Sequence, residues 1–518
     1  MKSGLYLVII SISLCISCQP SSPDVKEDQN SDYYQEEHRP QIHFSPEANW
    51  MNDPNGMVYY EGEYHLFYQY YPDSTVWGPM HWGHAVSPNM IHWEHLPIAL
   101  YPDSLGYIFS GSAVIDWENS SGLGDGNEPP MIAIFTHHDP EGERAGTETF
   151  QSQSIAYSHD RGRTWTKYSG NPVIKNPGIK DFRDPKVIWD EQRSQWLMVF
   201  AAYDRALFYT SPDLIEWTPS GEFGIPGDHR LWECPDIFPI EVEGTDETKW
   251  VLIASMQKNA PNGGTGTSYF VGDFDGRQFV GDPSEQRWLD YGTDDYAFVT
   301  WSDIPKTDGR RLGIGWMSNW QYALIVPTEQ WRSAMTLPRE LRLYQDDDGY
   351  TLRSLVVDEL DEIRRQSEVI AQDVTYDSPT VIVSDIDDDA YELDIVFELP
   401  ASGIIDIQLS NDQDEQLHIG YNVSEQGYYI DRTFAGRSDF HDAFADYHTG
   451  AASYPKELVK MKIIVDRASV ELFADEGRCV MTDIYFATAP YTDISIVAES
   501  QDVTMIKGSY TALSRIWK

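Results

Sequence analysis

Cysteine is scarce in this sequence: four in 518 residues, at positions 15, 18, 234 and 479. Two of these belong to the extreme N-terminus, which leaves Cys234 and Cys479 far apart. That excludes a disulfide framework and the paired CxxC spacing of a zinc site, though a single Cys234–Cys479 bridge stays open. Cohesion must come from a core. Positive charge is also in short supply, with 37 Lys and Arg against 83 Asp and Glu and a formal net charge of −46. Such a field repels nucleic acid and other polyanions, so the expected partner is neutral or cationic; a neutral polysaccharide fits and an acidic polymer does not. Long amphipathic helical periodicity is missing from residues 39–343, which argues against a helical architecture. The N-terminal apolar run, residues 5–16, is too short to span a bilayer as a helix.

That run follows Lys2 and leads into Ser17 and Cys18, the order of a signal peptide. Ile16-Ser17-Cys18 resembles a bacterial lipobox, with Cys15 where that pattern usually has Leu. Cys18 is therefore the expected lipidation site. The expected location is an exported lipoprotein at the outer membrane or cell surface, with a periplasmic or secreted form as the alternative. Residues 19–38 are polar, rich in Ser and acids, and read as a flexible tether.

Hydrophobic residues make up 41 % of the chain and aromatics 13 %. This is enough for a large core, and the length favours two domains. From about residue 39 to 343, short β-type runs alternate with Gly, Pro, Asn and Asp, the pattern of many antiparallel strands. A repeat runs through them. Ala85-Val86-Ser87 is followed by Trp93, Ile155-Ala156-Tyr157-Ser158 by Trp165, and Phe208-Tyr209-Thr210-Ser211 by Trp217, with a degenerate copy at residues 269–279. Strand, Ser-led turn and Trp recurring at such spacing predict the blades of a β-propeller. Residues 354–366 read as a short helix. Beyond them Leu393, Ile395, Phe397 and Leu399 alternate with polar residues, as do Ile405, Ile407 and Leu409, which predicts a β-sandwich. The expected order is a leader over 1–18, a tether over 19–38, a five-bladed propeller over 39–350, a linker helix over 351–368 and a sandwich over 369–518. The fold class is all-β.

Three acids sit in unusual settings. They are Asp53 in Trp50-Met51-Asn52-Asp53-Pro54-Asn55-Gly56, Asp184 in Phe182-Arg183-Asp184-Pro185-Lys186, and Glu233 in Trp232-Glu233-Cys234-Pro235-Asp236. Each lies next to or near a Pro at the start of an apolar strand, where Pro is tolerated. In a propeller the innermost strands converge, so acids at their starts gather in one funnel. Glycoside hydrolysis needs two carboxyl groups, one to attack or to activate water and one to protonate the leaving oxygen. A third anion stabilises the oxocarbenium-like transition state. Arg183 is expected to keep Asp184 ionised. Trp232 and Cys234 are expected to give Glu233 the low-polarity setting that a general acid needs. Taken singly, Asn-Asp-Pro-Asn-Gly is ordinary turn chemistry and Arg-Asp-Pro an ordinary ion pair.

Together these segments resemble glycoside hydrolase family 32, in the family's order. The resemblance continues through Phe67-Tyr68-Gln69-Tyr70, through residues 77–84 and 109–112, through Gly315-Trp316-Met317-Ser318-Asn319-Trp320, through residues 331–339 and through Val465-Asp466-Arg467. It implies a five-bladed propeller with a C-terminal β-sandwich, a retaining β-fructosidase and no metal or cofactor. By motif, Asp53 is the implied nucleophile, Glu233 the acid/base and Asp184 the transition-state stabiliser. Asn52, Gln69, Trp77, Phe109, Ser110, Arg183 and Trp320 are implied to line the fructose subsite. Retention implies carboxyls about 5–5.5 Å apart. The stretches around Trp77 and Trp320 look most like bacterial exo-levanases and exo-inulinases. One position departs: the family commonly has an aromatic where this chain has Asp295. Asp294 is expected to keep a place near substrate, and Asp295 to point to solvent. The readings held against this are an inverting arabinan-type propeller glycosidase, a surface glycan-binding lipoprotein without catalysis, and fructosyl transfer to sugar. The sandwich is expected to brace the propeller.

Overall fold

The computed structural model describes Met1 and residues 34–347, 349–498 and 502–517. The expected leader, with Cys18, lies outside the described residues. Runs rich in β-branched and aromatic residues form seven sheets, five in the first part of the chain and two in the second. Each of the first five is built outward from an inner strand. The inner strands are Asn49–Tyr60, Tyr107–Ile115, Phe182–Asp190, Trp232–Glu241 and Tyr296–Thr300, and they define blades one to five. Neighbouring inner strands touch in sequence, and the fifth touches the first, so the ring closes. The closure is hydrogen-bonded: Ser302 N donates to Met57 O at 2.9 Å, and Tyr59 N to Ser302 O at 3.0 Å. This is a five-bladed β-propeller.

Apolar side chains fill the gaps between blades. Leu197, Val199, Phe208, Trp232, Leu252 and Phe270 pack between blades three and four. Burying side chains of this size is worth roughly 1.5–3 kcal/mol each. The sequence repeat has a local explanation. Ser87, Ser158 and Ser211 each end the third strand of a blade, and each hydroxyl donates to a carbonyl or carboxylate two residues on, Asn89, Asp160 or Asp213. Those side chains in turn accept backbone N–H groups of the turn, such as His92 N, Thr164 N and Glu216 N. Side-chain oxygens thus satisfy turn donors that would otherwise be orphaned.

The second part is a sandwich of two six-stranded antiparallel sheets. Leu393, Ile395 and Phe397 face Ile405, Ile407 and Leu409 in one core, as the alternation predicts. Two expectations are corrected. Residues 354–366 do not form a helix. Strand Gly349–Val356 pairs with Arg339–Asp346, and only Asp358–Glu362 winds into a 3₁₀ turn. The spacing of Leu355, Val356, Leu360 and Ile363 is that of a strand end and a turn, each with its own buried face. Residues 34–38 are not a free tether. Tyr34 stacks on Trp517 at 4.1 Å, and its hydroxyl donates to Ser45 O at 2.8 Å.

Propeller and sandwich meet across a buried, charged seam. Arg339 reaches from blade five to Asp290 and Asp295 at 3.0 Å and to Glu471 of the sandwich at 2.7 Å. Arg432 of the sandwich binds Asp294 at 2.7 Å. His43, from the segment ahead of blade one, bridges Asp466 and Glu471, 2.8 Å from each. Asp295 is therefore not solvent-facing: it is buried against Arg339. An aromatic there would bury area without compensating the guanidinium.

Candidate active site

A β-bulge adds a residue to one strand and re-aims its side chains. All five inner strands break register at the same end of the ring. The breaks fall between Met51 and Pro54, Ile108 and Gly111, Glu233 and Asp236, and Tyr296 and Val299, and opposite Val199–Ala201 in blade three. They contain or adjoin Asn52 and Asp53, Phe109 and Ser110, Cys234, Tyr296, and Asp184. Asp184, Cys234 and Ala297 hold positive φ values of 64°, 43° and 55° there. Backbone strain of this kind costs about 1–3 kcal/mol per residue and is held by the surrounding ladder.

The acids meet at this end. Asp53 Oδ2 accepts the Ser110 hydroxyl at 2.6 Å and lies 3.4 Å from Cys234 Sγ. Its Oδ1 accepts Asn52 Nδ2 at 3.0 Å. Asp184 Oδ2 accepts Cys234 N at 3.0 Å. Arg183 donates to Glu233 Oε1 at 2.8 Å and to Asp181 at 2.7 Å. The Tyr296 hydroxyl makes a very short bond to Glu233 Oε2. Burial pushes Asp53 above the usual carboxylate range; Ser110 opposes this and the Glu233 charge adds to it. Burial likewise raises Asp184, to about 7, against the pull of Arg183 and with the push of Glu233 and Asp53.

Two chemical expectations change here. Arg183 pulls Asp184 toward the charged form without outweighing burial: its closest approach to that carboxylate is 3.7 Å, and its hydrogen bonds go to Glu233 and Asp181. Glu233 does not sit in a low-polarity setting, because a guanidinium and a phenol bind its two oxygens.

The remaining residues divide clearly. Trp77 packs edge-on to Phe109, ring centroids 6.0 Å apart. Trp320 stacks on Trp50 at 5.8 Å, and Trp50 Nε1 donates to Asn52 Oδ1 at 2.7 Å. Gln69, on the second strand of blade one, and Trp320 are left with Gln69 Nε2 and Trp320 Nε1 lacking a protein acceptor. Asp294 is not in this group. It is fully buried in the seam, where it accepts Tyr322 OH at 2.6 Å, Arg432 at 2.7 Å and Ile484 N at 3.0 Å. Both of its oxygens accept protein donors and neither is exposed, so the expected place near substrate is corrected to a role between domains. Two residues of the site were not singled out from sequence. Tyr296, two positions beyond Asp294, was the useful signal in that segment. Cys234 was read only as an apolar neighbour, yet it touches two of the acids. Cys234 and Cys479 are both free and buried. Beneath the acids a void of about 10 Å³ is lined by Pro54, Ser112, Lys186 and Val299, room for one water at most.

Carboxylates converging from three blades, one of them between a cation and a phenol, can attack an acetal carbon and protonate its leaving oxygen. That chemistry, on this propeller, places the chain among the glycoside hydrolases. Comparison narrows the class. Residues 43–354 match the N-terminal domain of glycosyl hydrolases family 32, and residues 359–513 match the family's C-terminal domain. The chain is 46 % identical to a levanase of Bacillus subtilis over all of its length and 76 % of that protein's. It is 34 % identical to an extracellular exo-inulinase of Aspergillus awamori, over 93 % of this chain and 96 % of that one. The crystal structure of an A. awamori exo-inulinase superposes with a TM-score of 0.85 at 33 % identity, covering 93 % of this chain and all of the other. A β-fructofuranosidase from Schwanniomyces occidentalis, complexed with fructosyl-erythritol, gives 0.84 at 32 %, covering 94 % of this chain and 99 % of that one. The chain belongs to glycoside hydrolase family 32.

Proposed function

We propose that this enzyme is a retaining β-fructosidase that removes terminal fructose from fructans, levan or inulin, and also cleaves sucrose. Asp53 is the nucleophile, Glu233 the acid/base and Asp184 the anion that steadies the furanosyl cation. The observation that carries this reading is the hydrogen bonding of Asp53. Ser110 and Cys234 anchor Oδ2, which leaves Oδ1, with Asn52 alone beside it, as the attacking atom. Attack on the anomeric carbon breaks the glycosidic bond as Glu233 gives its proton to the leaving oxygen. Glu233 then takes a proton from water, which attacks the same carbon and frees Asp53. Asp184 accepts hydrogen bonds from ring hydroxyls that strengthen as positive charge develops. Asn52, Gln69, Trp77, Phe109, Ser110, Arg183 and Trp320 line the fructose subsite. The names of the relatives, levanase and exo-inulinase, support fructan as substrate and an exo mode. The description of one relative as extracellular supports export, and the lipobox-like Cys18 supports a lipid anchor.

The test follows products on levan, inulin and sucrose by NMR from the first seconds. β-Fructofuranose appearing first, without oligosaccharides, is the expected result. α-Fructose first would mean inversion; early oligosaccharides would mean endo cutting; activity on arabinan alone would overturn the substrate. Asp53→Asn is expected to reduce turnover by about 10⁴-fold or more with the fold intact. Near-normal turnover would remove Asp53 from its role. Mass spectrometry of the mature N-terminus reads the lipid on Cys18 directly.

A further inference from the structure

Phe109 lies in the bulge of the second inner strand, where ladder pairing lapses between Ile108 and Gly111. Its carbonyl is held by Trp82 Nε1 at 3.0 Å. Its ring gets no help from the ladder. The face of that ring lies flat on His138, centroids 4.1 Å apart and planes 6° from parallel. His138 ends the second strand of the same blade, directly opposite Tyr107, and is 3 % exposed. Tyr107 lies 6.0 Å from the imidazole, and Phe150 meets its edge at 5.5 Å.

One hydrogen bond and one carboxylate contact flank the imidazole within this stack. Gln151 Nε2 lies 3.3 Å from Nδ1, and Nε2 lies 3.2 Å from Glu143 Oε2 on the short helix Pro140–Arg144. With Gln151 Nε2 as the donor, Nδ1 accepts, and the neutral tautomer carries its proton on Nε2, on the Glu143 side. Burial also lowers the pKa of His138, against the nearby Glu143 carboxylate, and favours the neutral ring. Arg183 and Glu143 are the charges that face it, with Asp139 further off. The result is a buried flat plate, hydrogen-bonded at Nδ1, behind a residue that the proposed reading places against fructose.

We infer that His138 is a positioning residue of this enzyme: its stacked ring holds Phe109 in the pose that forms the wall of the fructosyl subsite. Phe109 carries the effect onward through its edge contact with Trp77. The inference rests on Phe109 lining the subsite. Nothing in the chemistry requires His138 to touch substrate, so its loss should weaken binding more than turnover.

The experiment is a double-mutant cycle on sucrose hydrolysis with His138→Ala, His138→Phe, Phe109→Ala and the double Ala variant. An aromatic pair is worth about 0.5–1.5 kcal/mol, so His138→Ala is expected to raise KM roughly two- to tenfold, with kcat changed less than about twofold. His138→Phe, which keeps the plate and loses the hydrogen bond, is expected to bring KM back to within about twofold of wild type. Added to Phe109→Ala, His138→Ala is expected to change KM no further, because it acts through that ring. A wild-type KM in His138→Ala, while Phe109→Ala raises it, would overturn the inference and leave the subsite reading standing. A further rise in KM on Phe109→Ala would overturn it too, by showing a separate route. A normal KM in Phe109→Ala itself would instead remove the subsite reading. If His138→Ala does not fold, a KM raised tenfold in the folded His138→Phe variant would still refute a role played by the plate.

Discussion

At the level of single residues, the site works by setting hydrogen bonds against burial. Asp53 must be ionised to attack, yet burial pushes its pKa up and the Glu233 charge adds to the push. Ser110, at 2.6 Å, is the donor that does most to bring it down. Ser110→Ala removes that donor, so Asp53 should hold its proton to higher pH. The acid limb of kcat/KM is expected to move toward neutrality, with a loss at low pH that shrinks as pH rises; an unmoved limb would mean that Ser110 serves packing alone. Tyr296 gives a second prediction. Its hydroxyl can donate to Glu233 Oε2 when the carboxylate is charged and accept from it when the acid is protonated, so one group serves both halves of the proposed cycle. Tyr296→Phe is expected to lower kcat by about 10²-fold, in the range of acid–base contributions, with the thermal midpoint little changed. Steady-state kinetics beside a melting curve would separate the two effects. The three acids were legible in the sequence because each lies in a distinctive Pro-containing segment. Tyr296 and Cys234 were not, since in a regular strand Cys234 and Glu233 would point to opposite faces. Only the bulge, with Cys234 at φ 43°, brings both to the acids, and no sequence pattern announced it.

At the level of elements, the bulges are the device that makes a propeller an active site. A straight inner strand would send alternate side chains into the blade gaps. The break at one end turns two consecutive residues inward in each blade that carries an acid. Gly56 shows how tightly this is specified in blade one. Its φ is +55°, and a Cβ there would stand 2.4 Å from Phe67 Cδ2 and 2.9 Å from Trp82 Cζ3. Both rings are fully buried, so neither can swing away freely. Gly56→Ala is expected to cost about 1–3 kcal/mol in stability and to lower kcat, because the strain falls three residues from Asp53. Equilibrium unfolding with parallel kinetics would check it, and a variant as stable and active as wild type would show that the bulge is loosely held. The blades were readable from the Ser-led turn and Trp, since that repeat is a local hydrogen-bonding unit. The expected helix at 354–366 was not there, because four apolar residues at near-helical spacing are equally served by a strand end and a 3₁₀ turn. Local pattern fixes period, and pairing with Arg339–Asp346 decided between them.

At the level of the whole molecule, the acid excess is partly structural. Asp290, Asp294, Asp295, Asp466, Glu471 and Asp483 all lie buried where propeller and sandwich meet, answered by Arg339, Arg432, His43 and His448. These partners are far apart in the chain, which is why sequence placed Asp294 at substrate and Asp295 in solvent. Such pairs are costly to break, since one partner left alone is an uncompensated buried charge. His43 makes the lattice sensitive to pH. Burial alone would lower its pKa, but Asp466 and Glu471, each 2.8 Å from a ring nitrogen, outweigh burial and raise it from 6.5 to about 9. Below about 6.5 the imidazole is protonated in folded and unfolded chains alike, and its contribution to stability is complete. Between about 6.5 and 9 the unfolded chain sheds the proton while the folded one keeps it, so that contribution drains away as pH rises and is gone above the folded value. The melting temperature of the wild type is therefore expected to fall across this window by the equivalent of a few kcal/mol. His43→Gln, less stable at every pH below it, should be flatter over the same range because the titrating group is absent. Groups that titrate in both proteins cancel in the comparison. Parallel slopes for the two would show that the ion between Asp466 and Glu471 does not form, and that the seam is held by Arg339 and Arg432 alone.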